Sequence, residues 1–318
     1  MNKDDKIYVA GHNGLVGSSI LRRLEHYGYS NLIMQSHKNL DLTNQSDVAD
    51  FFSENKPKHV ILSAAKVGGI YANNTFPADF IYQNIMIESN VIHSAYANNV
   101  NKLIFLGSSC IYPREVEQPM RENALLTGSL EPSNEPYAIS KIAGIKLCES
   151  FNRQYDTDYR SLMPTNLYGI NDNFNSDSSH VIPALISRMH DAKIKGMSEI
   201  IVWGTGNAMR EFMFVDDLAE AIMFVLKLDK SVYQEKIDPM LSHLNVGTGE
   251  DVKIAELAFM IKDIVGFKGK IVFDTSKPDG PPRKLIDAKK LRNMGWKCKV
   301  SLYDGLLETY KWYLNITE

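Results

Sequence analysis

The sequence predicts an α/β fold built on a doubly wound parallel sheet. Short apolar runs at 7–10, 59–65, 102–106 and 159–163 alternate with longer stretches of helical spacing. Apolar runs of this kind suit strands covered by helices on both faces. The first run is followed at once by the glycine-rich segment Gly11-His12-Asn13-Gly14-Leu15-Val16-Gly17, and then by Ile20, Leu21 and Leu24 at helical intervals.

Residues 6–10 are read as the first strand and 18–27 as the first helix. Strand, glycine loop and helix in that order are what a dinucleotide-binding loop requires. The glycines let the backbone approach a pyrophosphate, and the helix N-terminus stabilises its charge. The expected architecture is therefore a Rossmann-type sheet. A second strand is placed at 31–36. An NAD site usually ends this strand with a carboxylate for the ribose 2′-hydroxyl. Here Gln35-Ser36-His37-Lys38 offers a basic pair and no acid, which favours a 2′-phosphate and hence NADPH. Asp41 and Leu42 are placed near the adenine.

A helix at 47–54, a strand at 59–65 and the loop Lys66-Val67-Gly68-Gly69-Ile70 come next, the loop on the same edge as the first glycine turn. Residues 79–98 read as a long helix that is apolar on more than one side, through Phe80, Ile81, Ile85, Met86, Ile87, Val91, Ile92 and Tyr96. One face would cover the sheet, and the second predicts a helix-mediated homodimer.

The strand at 102–106 halts at Gly107 and opens into Ser108-Ser109-Cys110-Ile111-Tyr112-Pro113. After Pro136 a helix presents Tyr137 and Lys141 one turn apart on one face. A strand-end serine facing a Tyr-x-x-x-Lys helix polarises a carbonyl and hands it a proton. An extended backbone over 108–110 would point Ser108 and Cys110 the same way. The strand at 159–163 ends in Pro164-Thr165-Asn166-Leu167-Tyr168-Gly169. Ligands in such sheets sit at the carboxyl ends of the strands, where the glycine loop, Ser108 and Pro164 all fall.

Beyond Gly169 the pattern loosens. Residues 170–179 read as a polar loop ending at His180, followed by a helix at 181–193, a strand at 199–203, a turn through Arg210 and helical spacing over 212–226. Asn245–Gly249, a helix near 253–265 and a strand at 270–273 read as a smaller C-terminal α/β layer. Pro278-Asp279-Gly280-Pro281-Pro282-Arg283 reads as a rigid loop. A cofactor-binding domain is expected over 1–169, with about 212–240 added, and a substrate domain over 170–211 and 241–318.

The bulk numbers are ordinary for a soluble globular protein. The 318 residues carry a net charge of −3, with 23% charged and 44% hydrophobic residues, so neither nucleic acid nor an anionic membrane is an expected partner. No apolar run approaches the ~18 residues of a membrane span. No signal peptide is visible. Cys110, Cys148 and Cys298 are odd in number and form no metal-type pair, which suggests a reducing, cytoplasmic setting.

Together these motifs resemble an extended short-chain dehydrogenase/reductase. The runs Ala65–Ile70, Asp79–Asn84, Gly107–Pro113, Glu135–Ile139, Met163–Gly169, Ser179–Leu185, Trp203–Asp216 and Pro278–Asp287 look like the GDP-L-fucose synthase family, in order and along nearly the whole chain. That family epimerises C3 and C5 of GDP-4-keto-6-deoxy-D-mannose and then reduces C4 with NADPH. The resemblance implies Ser108, Tyr137 and Lys141 as the reducing set, and Cys110 and His180 as the acid–base pair for epimerisation. A thiolate near Lys141 and a histidine would have a lowered pKa. Arg188, Trp203, Arg210 and Asp279 are implied at the GDP end. The expected NADP contacts are Gly11 to Gly17, His37, Lys38, Asp41, Leu42, Leu106, Gly107, Ser108, Ser109, Tyr137, Lys141, Pro164, Thr165, Asn166, Leu167 and His180.

Two departures stand out. Asn13 and His37 occupy positions where the family often has arginine, which leaves Lys38 to compensate at the 2′-phosphate. Three competing readings remain. A sister 4-reductase acting on another GDP-4-keto sugar, such as a heptose, differs only in pocket shape. A dehydratase or 4-epimerase would carry an acidic pair where Ser109-Cys110 stands. A non-enzymatic scaffold would usually lose the Tyr-x-x-x-Lys pair, which this chain keeps.

Overall fold

Strands and helices alternate through the first half of the chain because each buried strand is followed by a turn that forces it out of the sheet. The computed structural model describes residues 1–175, 179–277 and 279–317. Its first elements are β1 (Ile7–Ala10), α1 (Leu15–His26), β2 (Leu32–Ile33), α2 (Gln45–Asn55), β3 (His59–Leu62), α3 (Ile70–Thr75), α4 (Pro77–Ala97), β4 (Lys102–Leu106), α5 (Glu135–Tyr155) and β5 (Tyr159–Pro164). They are followed by β6 (Asn166–Tyr168), α6 (Val181–Ile194), β7 (Glu199–Trp203), β8 (Met209–Arg210), β9 (Phe212–Phe214), α7 (Val215–Lys227), α8 (Lys230–Gln234) and β10 (Leu244–Val246). The chain ends with β11 (Val252–Lys253), α9 (Ile254–Val265), β12 (Lys270–Asp274), β13 (Arg283–Lys284), α10 (Lys289–Asn293) and α11 (Leu302–Thr317).

The large sheet has the order β10-β5-β4-β3-β1-β2, with every pairing parallel. Its strands are buried on both faces, as their apolar composition requires. Tyr8 and Ala10 of β1 pack with α2, α4 and α5 through Phe52, Val91, Ile92 and Ile145. Ile7 and Val9 face the other way, onto Ile20 and Leu24 of α1 and Leu218 and Ile222 of α7. A third core joins α6, α9 and α11 through Leu185, Met189, Leu257, Ile261 and Leu306. Three small sheets carry the chain across to it: β6 with β9, β7 with β12, and β8 between β11 and β13.

The doubly wound fold expected from the sequence is present, and the structure corrects several details. β2 has two residues where a longer strand was expected, because the chain leaves the sheet edge before Met34. The 212–226 segment is a strand and then a helix, since Phe212–Phe214 pairs with β6 before α7 begins. Asn245 lies in β10, which pairs with β5 as an edge strand of the large sheet and not in a smaller layer. The expected polar loop at 170–179 falls partly, and Pro278 wholly, outside the described residues. No helix among the described residues is long and apolar enough to cross a membrane.

Glu211 fastens the small sheets to the large one. Its side chain has no exposed surface. It accepts from the backbone N–H groups of Gly249 at 2.8 Å and Ile286 at 3.1 Å, and from the Thr248 hydroxyl at 3.2 Å. Its backbone carbonyl accepts from Asn166 Nδ2 and Thr165 Oγ1. Burial raises its pKa against the pull of these bonds. Glu211→Leu would orphan three donors at about 1–3 kcal/mol for each buried group left unpaired. The expected result is a fall of several kcal/mol in urea-unfolding stability; an unchanged midpoint would refute this role.

Candidate active site

The order of the strands reverses between β1 and β3, and the crevice at that switch point opens at their carboxyl ends. Gly11 takes φ +87°, and a Cβ there would fall 2.7 Å from the Ala64 backbone nitrogen; one at Gly17 would fall 2.1 Å from the Gly11 carbonyl oxygen. The loop can therefore coil tightly against β3 only with glycine at these two positions. α1 begins at Gly14 with no side-chain cap and no acid in its first turn, so its free N–H groups and dipole remain available to an anion. His12 Nδ1 is buried without a hydrogen-bond partner. An unsatisfied donor set around a glycine loop fits a dinucleotide diphosphate.

The other expected cofactor residues line the same edge. His37 and Lys38 are exposed beyond β2, and His37 Nδ1 lies 3.9 Å from Asp41 Oδ1. Asp41 is occupied locally, accepting from the Thr43 N–H at 2.9 Å and hydroxyl at 2.8 Å, and these bonds hold its pKa down. Leu42 is buried, with its carbonyl bonded by Asn90. Leu106 ends β4, and Gly107 and Ser109 lie buried in the turn that follows it. Pro164 ends β5, and Leu167 lies in β6, while Thr165 and Asn166 commit their side chains to the Glu211 carbonyl. Asn171 donates to the Asn13 carbonyl at 2.8 Å, tying the segment after β6 to the glycine loop.

The reducing set is assembled by α5 against β4. Lys141 is 2% exposed. Its Nζ lies 4.9 Å from the Phe105 ring centroid and 5.8 Å from that of Tyr137. It makes an ion pair of 3.1 Å with Glu88 of α4. Tyr137 packs edge-on against Phe80. Burial, and then the neighbouring Cys110 and Glu88, push its phenol well above the usual 10. Tyr137 is thus held in its protonated form in this arrangement.

Ser108 and Cys110 come together by a route the sequence did not suggest. The 109–111 segment is a 3-10 turn and not an extended strand, and Ser108 Oγ caps it by accepting from the Cys110 N–H at 3.4 Å. The expectation of a lowered Cys110 pKa is also corrected. Burial raises the thiol above 9.0, and the opposing pull comes first from Lys284, then from Ser108, then from Lys141, with no contribution from a histidine. His180 is the N-cap of α6, but its ring accepts no backbone hydrogen bond there. It is exposed at the surface, yet the protein packed around it lowers its pKa from the usual 6.5, and no hydrogen bond joins it to Cys110 or Tyr137.

Lys284 is a residue that sequence reasoning missed. It follows Arg283 in β13, and parallel pairing with β8 sets it beside Arg210. Only that long-range register makes a cationic pair of them. Arg210 is braced by the carbonyls of Met209 and Pro281 at 2.8 and 2.7 Å. Arg188 of α6 donates to the Ile201 carbonyl at 3.1 Å, and Trp203 at the end of β7 is 70% exposed. Asp279 accepts from the N–H of Thr205 at 3.0 Å and its hydroxyl at 2.6 Å, so it secures the turn between β7 and β8. Lys284 thus connects Arg210, its strand partner, to Cys110, which in turn neighbours Ser108, Tyr137 and Lys141.

A cavity of about 560 Å³ lies at the opposite ends of the strands, lined by Asp5, Lys58, His59, Lys102, Asp158 and Lys230 among others. Its lysines are already paired, Lys58 with Asp5, Lys102 with Asp158 and two carbonyls, and Lys230 with Asp156. Its lysines are thus engaged, although His59 Nδ1 is buried there without a hydrogen-bond partner.

Comparison with known proteins agrees with this geometry. Residues 7–247 match the NAD dependent epimerase/dehydratase family. The chain is 57% identical over 310 residues to a GDP-L-fucose synthase of Escherichia coli strain K12, covering 98% of this chain and 97% of that protein. It is 57% identical over 314 residues to GDP-L-fucose synthase 1 of Arabidopsis thaliana, covering 99% and 94%. A GDP-D-glycero-L-gluco-heptose synthase from Campylobacter jejuni, solved in the presence of NADPH, superposes with a TM-score of 0.94 at 38% identity, covering 99% of each chain. The chain belongs to the NAD dependent epimerase/dehydratase family and, within it, groups with the GDP-L-fucose synthases.

Proposed function

We propose that the protein converts GDP-4-keto-6-deoxy-D-mannose to GDP-L-fucose, epimerising C3 and C5 and reducing C4 with NADPH. The observation that carries this reading is the Ser108–Cys110 turn, which sets a thiol beside the carbonyl-polarising hydroxyl in a pocket shared with Tyr137. A plain reductase has no use for that thiol. The competing reading, reduction of a related GDP-4-keto heptose, is supported by the structural likeness to the Campylobacter heptose synthase.

C3 and C5 both flank the C4 carbonyl, so loss of a proton from either places charge on the C4 oxygen. Ser108 and Tyr137 donate hydrogen bonds to that oxygen and stabilise the enolate. Cys110 and His180 work as the pair that removes and returns the carbon-bound protons. Lys284 is the main cation favouring the thiolate form of Cys110. When bound, NADPH supplies the hydride that reduces C4, and Tyr137 gives its proton to the same oxygen. His37 and Lys38 are assigned to the 2′-phosphate. Arg188, Arg210 and Lys284 are assigned to the GDP diphosphate, where guanidinium forks suit paired oxygens. Trp203 and Asp279 complete the GDP end.

We further infer a homodimer through the outer faces of α4 and α5. Tyr82 is 63% and Ile139 39% exposed on them. The three free thiols support a reducing, cytoplasmic setting.

Given GDP-4-keto-6-deoxy-D-mannose and NADPH, the purified protein is expected to oxidise NADPH and to yield GDP-L-fucose by NMR. A 4-reduced sugar with unchanged C3 and C5 would instead select the plain reductase. Tyr137→Phe should lower reduction by about 10²–10⁴-fold, the range usual for a lost proton donor; undiminished reduction would remove Tyr137 from that role.

The pH dependence of epimerisation follows from the two shifts. His180 titrates below 6.5 and Cys110 above 9.0. Between these limits the pair holds one proton, whether as thiol with imidazole or as thiolate with imidazolium. Solvent-deuterium exchange at C3 and C5 should therefore be flat across that window. It should fall on the acid side as His180 gains a proton and on the alkaline side as Cys110 loses one. A narrow optimum inside the window would contradict the assignment.

A further inference from the structure

Among the charged groups around the reducing set, Glu88 is the one that the proposed chemistry leaves without a task. It lies on α4, a helix whose other buried positions are apolar or amide and hydroxyl side chains, and it is 1% exposed. Its carboxylate is 3.1 Å from Lys141 Nζ, and neither oxygen gains a well-directed hydrogen bond. The space for it is made by Gly144, one turn beyond Lys141 on α5; a Cβ there would sit 2.8 Å from Glu88 Oε2 and 2.3 Å from the Phe105 ring. An anion with so little hydrogen bonding is costly to bury unless a cation compensates it.

We propose that Glu88 is a positioning residue for reduction: it anchors Lys141 and keeps the Tyr137–Lys141 unit protonated, so that Tyr137 holds a proton to give to the substrate oxygen. This rests on the reductase reading above. The groups facing Glu88 are few. α5 presents Lys141, Tyr137 and Cys148, the turn after β4 presents Cys110 next to Tyr137, and β4 itself presents the uncharged Phe105. Among the described residues Lys141 is the one cation acting on Glu88, and the Gly144 backbone is its other favourable contact. Removing a negative charge from such a cluster makes every remaining proton easier to lose, whichever of Tyr137 or Lys141 releases it first. Glu88 itself titrates near neutrality, raised to about 7 by burial against the pull of Lys141, so it is ionised throughout the alkaline range in which the donor must keep its proton.

The test compares the pH profile of NADPH oxidation with the keto sugar for wild type, Glu88→Gln and Glu88→Asp. In Glu88→Gln the alkaline limb of kcat is expected to move to lower pH by about one unit, a tenfold change in proton affinity. In Glu88→Asp, which keeps the charge on a shorter side chain, the limb stays near the wild-type position while kcat falls. A Glu88→Gln enzyme whose limb has not moved, whatever its kcat, would overturn the proposal. A second measurement needs no sugar and so separates this proposal from the functional reading. In urea unfolding, Glu88→Gln/Lys141→Met should be more stable than the sum of the two single losses allows, because it leaves neither charge unpaired. Strictly additive losses would overturn the ion pair as the basis of the effect. Absence of turnover by the wild-type enzyme, with the coupling intact, would fault the substrate assignment and leave the Glu88–Lys141 pairing standing.

Discussion

Burial of the large sheet on both faces is the constraint from which the rest of the molecule follows. β1, β3, β4 and β5 carry hardly an exposed residue, so their edges and faces cannot present chemistry. Polar groups emerge only where the strands stop. At the carboxyl ends the chain turns through Gly11, Gly107 and Pro164, and there the backbone N–H groups, the Ser108 hydroxyl and the α5 side chains meet. At the amino ends the charges cancel one another in local pairs. The asymmetry between the two ends of one sheet selects the site.

Placing catalytic groups at the edge of a dry core has electrostatic consequences. Each group that must change protonation is pushed toward its neutral form: the Cys110 thiol upward, the Tyr137 phenol upward and the His180 imidazole downward. Neighbouring cations oppose this in part, although burial also pushes the Lys284 amine downward. Lys284 reaches Cys110 from β13, and Lys141 stands beside Tyr137 with Glu88 behind it. These cations depend on structure far from the site. Lys284 is held in register by pairing with Arg210, and that register depends on Glu211, which joins β13 to the loop after β10.

The parts of this arrangement that are local in sequence were legible from it. The glycine loop followed by a helix, the strand halting at Gly107, and Tyr137 one turn before Lys141 each express a short-range rule. The Ser108–Cys110 geometry was misread because side-chain alternation assumes an extended chain, whereas the Ser108 side chain caps a turn and rotates Cys110 inward. Lys284 and Glu88 carried no local signal. Lys284 gains its meaning from a strand pairing with a residue 74 positions away in the chain, and Glu88 sits on a helix face of mixed apolar and small polar residues that reads as ordinary packing. β10 was misplaced for a related reason: three buried residues are too few to show which sheet they complete.

The proposed chemistry requires two proton inventories to stay separate. In that proposal epimerisation uses a pair that holds a single proton between Cys110 and His180, while reduction uses a Tyr137 that never lends its proton to that pair. Burial alone would make all three groups neutral and leave them free to exchange. The charges keep them apart. Lys284 favours the anion on the thiol side, and Glu88 disfavours it on the phenol side. The two influences act in opposite directions on neighbouring groups, so in the proposed chemistry the proton that moves during epimerisation would be drawn from Cys110 and His180 and not from the donor. In this fold the separation comes from two elements, β13 and α4, that approach the same turn and bring opposite charges to it.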